Sequence, residues 1–270
     1  MKSIITLIAI TFSFLCFSQS SPKPFLEEIT NTFPHVRDLA ISPNGDEILF
    51  TAQSMMGNLS VIMSSKKTNN LWTNAEVSSF SGQFYDLEPF FSSDGLKLYY
   101  ASSRPWSNKT LEPKDFDIWY VERTSLNDSW SEPKNMENPI NSEHDEFYPS
   151  IADNGNFYFT RDNPDLKTKD DIYVSELINN TYDTPKKLPT SINSEGYEYN
   201  AFIAPDESYL IFGSYNRKDG FGSGDLYISF LTKEGWSSAK NMGDTINSDK
   251  MDYCPFVDTK TNTLYFTSKR

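Results

Sequence analysis

Four acids recur along this chain at roughly the length of one repeat: Glu88, Glu146, Glu198 and Asp252. Each stands just before a short run of strand-forming residues. Carboxylates gathered at such positions could hold a cation through oxygen ligands, or act as the acid and base that hydrolyse a glycosidic bond. A second recurring set is basic, Arg104, Arg161, Arg217 and Arg270. Asp117, Asp171 and Asp225 follow the first three by 13, 10 and 8 residues. Guanidinium and carboxylate make a two-pronged pair, so one Arg–Asp brace per repeat is expected to hold the loop between them. A feature present once per repeat reads as structural before it reads as catalytic. The acids, Arg104, Arg161, Arg217 and Trp106 therefore stand as candidate ligand-binding residues at a channel mouth, with no residue assigned as catalytic.

Other reactive arrangements are scarce. The two histidines, His35 and His144, are too few for a His-rich metal site. No Gly-x-Ser-x-Gly elbow occurs. Gly220-Phe221-Gly222-Ser223-Gly224 does not lead from a strand into a helix, so it reads as a loop rather than a phosphate cradle. Asp162, Asp165, Asp170 and Asp171 share one loop that could take a surface calcium, without EF-hand spacing; no other cofactor is expected. Cys254, in Tyr253-Cys254-Pro255-Phe256-Val257, reads as a small core residue.

The elements that position these residues are repeated strands. Ile140-Asn141-Ser142-Glu143 returns as Ile192-Asn193-Ser194-Glu195 and Ile246-Asn247-Ser248-Asp249, spaced 52 and 54 residues apart. A second-strand pattern recurs five times, at Ile48-Leu49-Phe50, Leu98-Tyr99-Tyr100, Phe157-Tyr158-Phe159, Leu210-Ile211-Phe212 and Leu264-Tyr265-Phe266. Turn residues such as Pro43-Asn44-Gly45 and Asp153-Asn154-Gly155 precede it. First strands lie before the turns, at residues 36–41, 89–92, 149–152, 201–204 and 255–258. Third strands open on Asp117, Asp171 and Asp225, with residues 59–63 filling that place in the first unit. Fourth strands are marked by Trp72, Trp130, Tyr182 and Trp236. Four short antiparallel strands per repeat predict an all-β propeller of about five blades, the last incomplete. The blades are placed at 33–83, 84–144, 145–196, 197–251 and 252–270. Residues 19–32 form an arm, in which residues 25–29 offer a closing outer strand. The last blade stops before a third strand, which reads as an incomplete blade or a truncated chain and predicts an open edge.

The phrases Ser92-Ser93-Asp94-Gly95 … Ser103-Arg104 … Asp117-Ile118-Trp119, Asp153-Asn154-Gly155 … Thr160-Arg161 … Asp171-Ile172-Tyr173 and Asn216-Arg217 … Asp225-Leu226-Tyr227 resemble the TolB-type, WD40-like propeller repeat of bacterial envelope proteins. The resemblance covers roughly residues 33–270. It implies a fold and a compartment, not a reaction, because propellers host many functions. The sialidase Asp-box, Ser-x-Asp-x-Gly-x-x-Trp, has no match; Ser92-Ser93-Asp94-Gly95 comes nearest with the wrong spacing.

Residues 1–18 read as a signal peptide: Lys2, an apolar run from Ile4 to Phe17, then small Ser18. The apolar run is too short to span a membrane, so the protein is expected to be periplasmic or secreted and not membrane-spanning. The formal charge of −13 disfavours nucleic acid and anionic lipid as partners. The expected function is a non-catalytic scaffold binding an envelope protein or a glycan at the channel mouth and the loops at 105–116 and 218–224. A glycan-acting enzyme using the four acids is the alternative, and a calcium-stabilised structural propeller a third reading.

Overall fold

The computed structural model describes residues 21–106, 112–164, 170–215 and 217–270. The leader assigned to residues 1–18 lies outside them, as does Asp165.

The described chain is built of antiparallel sheets arranged as propeller blades. Five inner strands, His35–Ile41, Asp86–Phe91, Asp145–Ile151, Tyr197–Ile203 and Asp252–Asp258, each pair with a second strand. The second strands are Glu47–Gln53, Lys97–Ser102, Phe157–Asp162, Tyr209–Tyr215 and Thr263–Ser268. Four blades continue into third strands, Ser60–Thr68, Asp117–Glu122, Asp170–Ser175 and Asp225–Thr232, while the fifth sheet stops at two strands. Its inner strand packs against the fourth blade on one side, and the sheet packs against the inner strand of the first blade on the other, so the five sheets form a closed ring.

Alternation along the second strands feeds two cores at once. Phe157 and Phe159 pack with Leu87, Tyr99 and Ile118 of blade 2, while Tyr158 between them packs with Ile203, Leu210 and Phe212 of blade 4. Neighbouring blades are thus held by wedges of aromatic and branched side chains that no single sheet could bury.

Two details differ from the sequence expectation. The residues bonded to the middle of each third strand are Glu76–Val77, Lys134–Asn135, Lys186–Lys187 and Lys240–Asn241, downstream of the aromatic markers. Trp72, Tyr182 and Trp236 instead sit in the hairpin before them. Pro133 and Pro185 remove a donor just ahead of two of these outer strands and lysines line them, both of which keep an edge short. Secondly, residues 25–29 are not a closing strand: Glu27–Thr30 is a single helical turn. Leu26, Ile29 and Phe33 follow a helical spacing and pack on Ile48 and Phe50 of blade 1, and Phe25 meets Tyr265 edge-on at 4.8 Å. The arm joins blades 1 and 5 by packing rather than by pairing.

The recurring Ile-Asn-Ser-acid phrase is a joint. Ile140, Ile192 and Ile246 are buried. The Asn193 side chain accepts from the backbone N–H of Ile172 (2.9 Å) and donates to the carbonyls of Ile172 (2.9 Å) and Leu188 (3.0 Å). Asn141 and Asn247 do the same to Ile118 and Leu226. Each Asn thus pins a blade-to-blade link onto the third strand. Asn193→Ala strands buried backbone groups and is expected to cost about 2–4 kcal/mol, against under about 0.5 kcal/mol for exposed Glu195→Ala, measured by urea unfolding.

Candidate functional site

The acids fall into two sets rather than one ring. Glu146, Glu198 and Asp252 occupy one structural position, and its blade 2 equivalent is Asp86, not Glu88. Each is fully buried and spent on its own blade. Glu146 accepts from Ser142 N (3.1 Å), Ser142 Oγ (2.5 Å) and Arg161 Nε (2.7 Å). Glu198 takes Ser194, Ser214 and Arg217, and Asp252 takes Ser248 and Arg270. Asp86 takes Ser81, Gly82 and Ser102.

The arginine partners differ accordingly from the expected brace. Arg161, Arg217 and Arg270 pair with these inner-strand acids and donate to the carbonyls of Ile140, Ile192 and Ile246. Arg104 donates to the carbonyl of Phe80 in the same manner. The third-strand acids find other partners: Asp117 takes Trp106 Nε1, Asp171 takes Lys187 at 2.6 Å, and Asp225 takes the N–H groups of Phe221 and Gly222. The brace spans strands one and two because both ends emerge on one face, where the second strand's exit lies beside the same blade's inner-strand entry. The glycine-rich loop spends those N–H groups internally and lies against residues 248–252, where a Cβ on Gly222 would stand 1.9 Å from the Lys250 carbonyl. Among the described residues no three His, Cys, Asp or Glu side chains gather as a metal site.

Glu88 belongs to the axis. Every inner strand carries a bulge, and the bulged residues Asp38, Glu88, Tyr148, Asn200 and Cys254 all take positive φ, between 51° and 61°. Their side chains and neighbours meet at the centre. Glu88 accepts from Arg37 Nη2 (2.6 Å), Asn200 Nδ2 (3.0 Å) and the N–H of Tyr148 (2.7 Å). Cys254 Sγ donates to Asn200 Oδ1 (3.4 Å) and accepts from Arg37 (3.4 Å). The Tyr148 hydroxyl donates to the carbonyl of Pro255 (2.9 Å). This buried knot joins all five blades, so Glu88 is a structural centre rather than a channel-mouth ligand, and Cys254 is buried in the core as its strand pattern predicts. Burial drives the Glu88 carboxyl and Cys254 thiol upward in pKa against the pull of Arg37.

The open site lies on the face bearing the connections between second and third strands and the links between blades. A cleft of about 750 Å³ runs between blades 2 and 3. It is lined by Trp106, Tyr173 and Arg161, by Asn135, Asn138, Asn141 and Asn163, and by Glu137, Glu143, Ser142 and His144. Of the sequence candidates, Trp106 and Arg161 meet here; Arg104, Arg217, Glu88, Glu198 and Asp252 do not. Glu137, Asn138 and His144 lie in the blade link outside the recurring Ile-Asn-Ser-acid phrase and carry no repeated signature, whereas Glu143 closes that phrase and so reads as structural. Met55, Met56 and Leu59 of blade 1 and Phe221 of blade 4 occupy equivalent loops of the same face, with Met55 and Met56 77% and 84% exposed.

A ring of bulged inner strands with a sealed axis and a loop-built cleft defines a β-propeller. No protein-family model matches the chain, and no curated protein matches it. Among solved structures it is similar to a protein assigned as TolB from Agrobacterium tumefaciens, at 14% identity and TM-score 0.54, over 86% of this chain and 69% of that one. TolB from Acinetobacter baumannii matches at 14% identity and TM-score 0.48, over 81% of this chain and 45% of that one. An α-L-arabinofuranosidase from Lactobacillus brevis matches at 14% identity and TM-score 0.49, over 87% and 85%. The fold is a TolB-like propeller; at this identity the likeness concerns fold alone. No described helix is long and apolar enough to cross a membrane.

Two measurements probe the buried charges. Arg37→Met leaves Glu88 buried without its cation and is expected to cost about 3–5 kcal/mol, part of which Glu88→Gln restores in the double variant. Burial, outweighing its Ser142 and Arg161 bonds, raises the Glu146 carboxyl from 4.5 to about 7. The folded protein then holds a proton that the unfolded chain has released, so this group's contribution to stability falls as pH rises from about 4.5 through 7, by up to about 3 kcal/mol. Thermal melts from pH 5 to 8 should show a smaller decline in Glu146→Gln than in the parent.

Proposed function

We propose that this chain is an exported, non-catalytic binding module of a bacterial envelope that engages its partner on the face bearing the cleft. The observation that carries this reading is a division of labour. The repeated acids and arginines with catalytic potential are consumed in buried braces, whereas Trp106, Met55, Met56 and Phe221 stand exposed on one face. The repeated acids that could exchange a proton with a substrate are therefore committed, while side chains that gain by being covered are presented together. Loops of differing length on a rigid repeat supply recognition without altering the scaffold. Export rests on the charge, apolar run and small residue at the N-terminus, and the TolB-like fold is consistent with an envelope setting.

The test is capture from envelope extract on immobilised protein. The parent should retain an envelope protein or glycan that Met55→Asp/Met56→Asp/Phe221→Asp does not. Leu71→Asp/Ile178→Asp, on the opposite face, should retain it. Equal capture by both variants, or turnover of glycosidic substrates by the parent, would sink the proposal. N-terminal sequencing of protein from fractionated cells should begin at Gln19.

A further inference from the structure

We infer that the cleft between blades 2 and 3 binds a neutral carbohydrate; this rests on the binding-module reading and names its ligand class. The volume, about 750 Å³, lies in the range of small-molecule sites. Its principal wall is Trp106, 59% exposed yet held in place. The indole N–H donates to the buried Asp117 carboxylate, and the Lys114 ammonium sits 3.8 Å from the ring centroid. An aromatic plane fixed at its polar edge and covered on one side presents a rigid apolar surface on the other, which suits the C–H face of a pyranose.

Charge narrows the class. The second ring of the cleft, Tyr173, also carries a cation, with Arg161 5.1 Å from its centroid. Both rings thus have their attraction for cations already engaged, which disfavours a basic peptide or a quaternary amine. An anionic ligand meets Glu137 and Glu143 on the lip, while the one guanidinium in the wall has its N–H groups engaged by Glu146 at 2.7 Å and by the carbonyl of Ile140 at 3.0 Å. Asn135 and Asn141 spend their amides on each other, on Asp117 and on Ile118. Asn138, Glu137, Glu143 and His144 remain to bond hydroxyl groups, which need both donors and acceptors. A neutral polyol with an apolar face satisfies all of these conditions together.

Calorimetric titration of the intact protein tests this, with neutral gluco-, galacto-, manno- and N-acetylglucosamine oligosaccharides, sialyllactose and oligolysine as probes. At least one neutral oligosaccharide should bind saturably. Trp106→Ala should weaken it about tenfold or more, with Trp106→Phe between the two. Melting temperature is recorded for each variant; Trp106→Ala and Trp106→Phe both remove the N–H that Asp117 accepts, so they share that loss and the difference in affinity between them reports the ring, while Glu143→Ala, on the exposed lip, leaves the Trp106 anchor intact and should also weaken binding. Absence of binding by every neutral probe, preference for sialyllactose or oligolysine, or affinity indifferent to Trp106 overturns the inference. The binding-module reading would survive such a result if the apolar-face variant still lost its envelope partner.

Discussion

The structure depends on one backbone constraint, a left-handed residue in every inner strand. Five strands that converge on an axis must turn their innermost residues toward it without losing pairing to the second strand. The bulge does this by skipping one position in the register, and non-glycine side chains accept the modest conformational cost because the knot they form holds them there. Asp38, Glu88, Tyr148, Asn200 and Cys254 then meet where no hydrophobic wedge fits. A charged, hydrogen-bonded centre has one satisfactory arrangement, so it sets how the blades are rotated relative to one another; a purely apolar centre would be less selective. Arg37 is central to it because a single guanidinium reaches Asp38, Glu88 and Cys254, which come from blades 1, 2 and 5.

The second consequence concerns the rim. Once the acids of blades 3, 4 and 5 are tied to serine and arginine, and Asp86 of blade 2 to serines, the start of each of these inner strands is fixed, and the loop and link residues around the Ile-Asn-Ser phrase can carry other chemistry. Blade 2 uses that freedom most: its loop supplies Trp106 and its link supplies Glu137, Asn138, Glu143 and His144. The cleft therefore sits beside the most regular part of the molecule, and its walls stand on braces whose own chemistry is spent.

Much of the fold was legible in the residues, and the reason is local. Alternating aromatic strands, Asn-Gly and Asp-Gly turns and a recurring Ile-Asn-Ser phrase depend only on neighbours within one blade. The acids show where such reading stopped. Placing Glu88 with Glu146, Glu198 and Asp252 followed from spacing alone. Two signals pointed otherwise: a serine stands four residues before each of the other three acids, and Glu88-Pro89 lines up with Tyr148-Pro149 and Cys254-Pro255. The first sets Glu88 apart, because Phe84 stands four residues before it, and the second assigns Glu88 to the axis and Asp86, two residues earlier, to the brace. Likewise the Arg–Asp brace was expected across the shorter separation, whereas the arginines reach back to acids 15 to 19 residues upstream. The helical turn of Glu27–Thr30 was legible too, in the spacing of Leu26, Ile29 and Phe33.

The repeat, its strands and its turns can be read from the chain alone, because these follow from side-chain period and backbone preference over a few residues. Which of the repeated charges are structural, and where an open surface remains, depends instead on how the blades meet. Glu88 meets Asn200 across 112 residues and Arg37 meets Cys254 across 217. Such contacts are set by closing the ring, which no short stretch of chain records, and by one skipped position per inner strand, which shows only when the prolines of several blades are aligned.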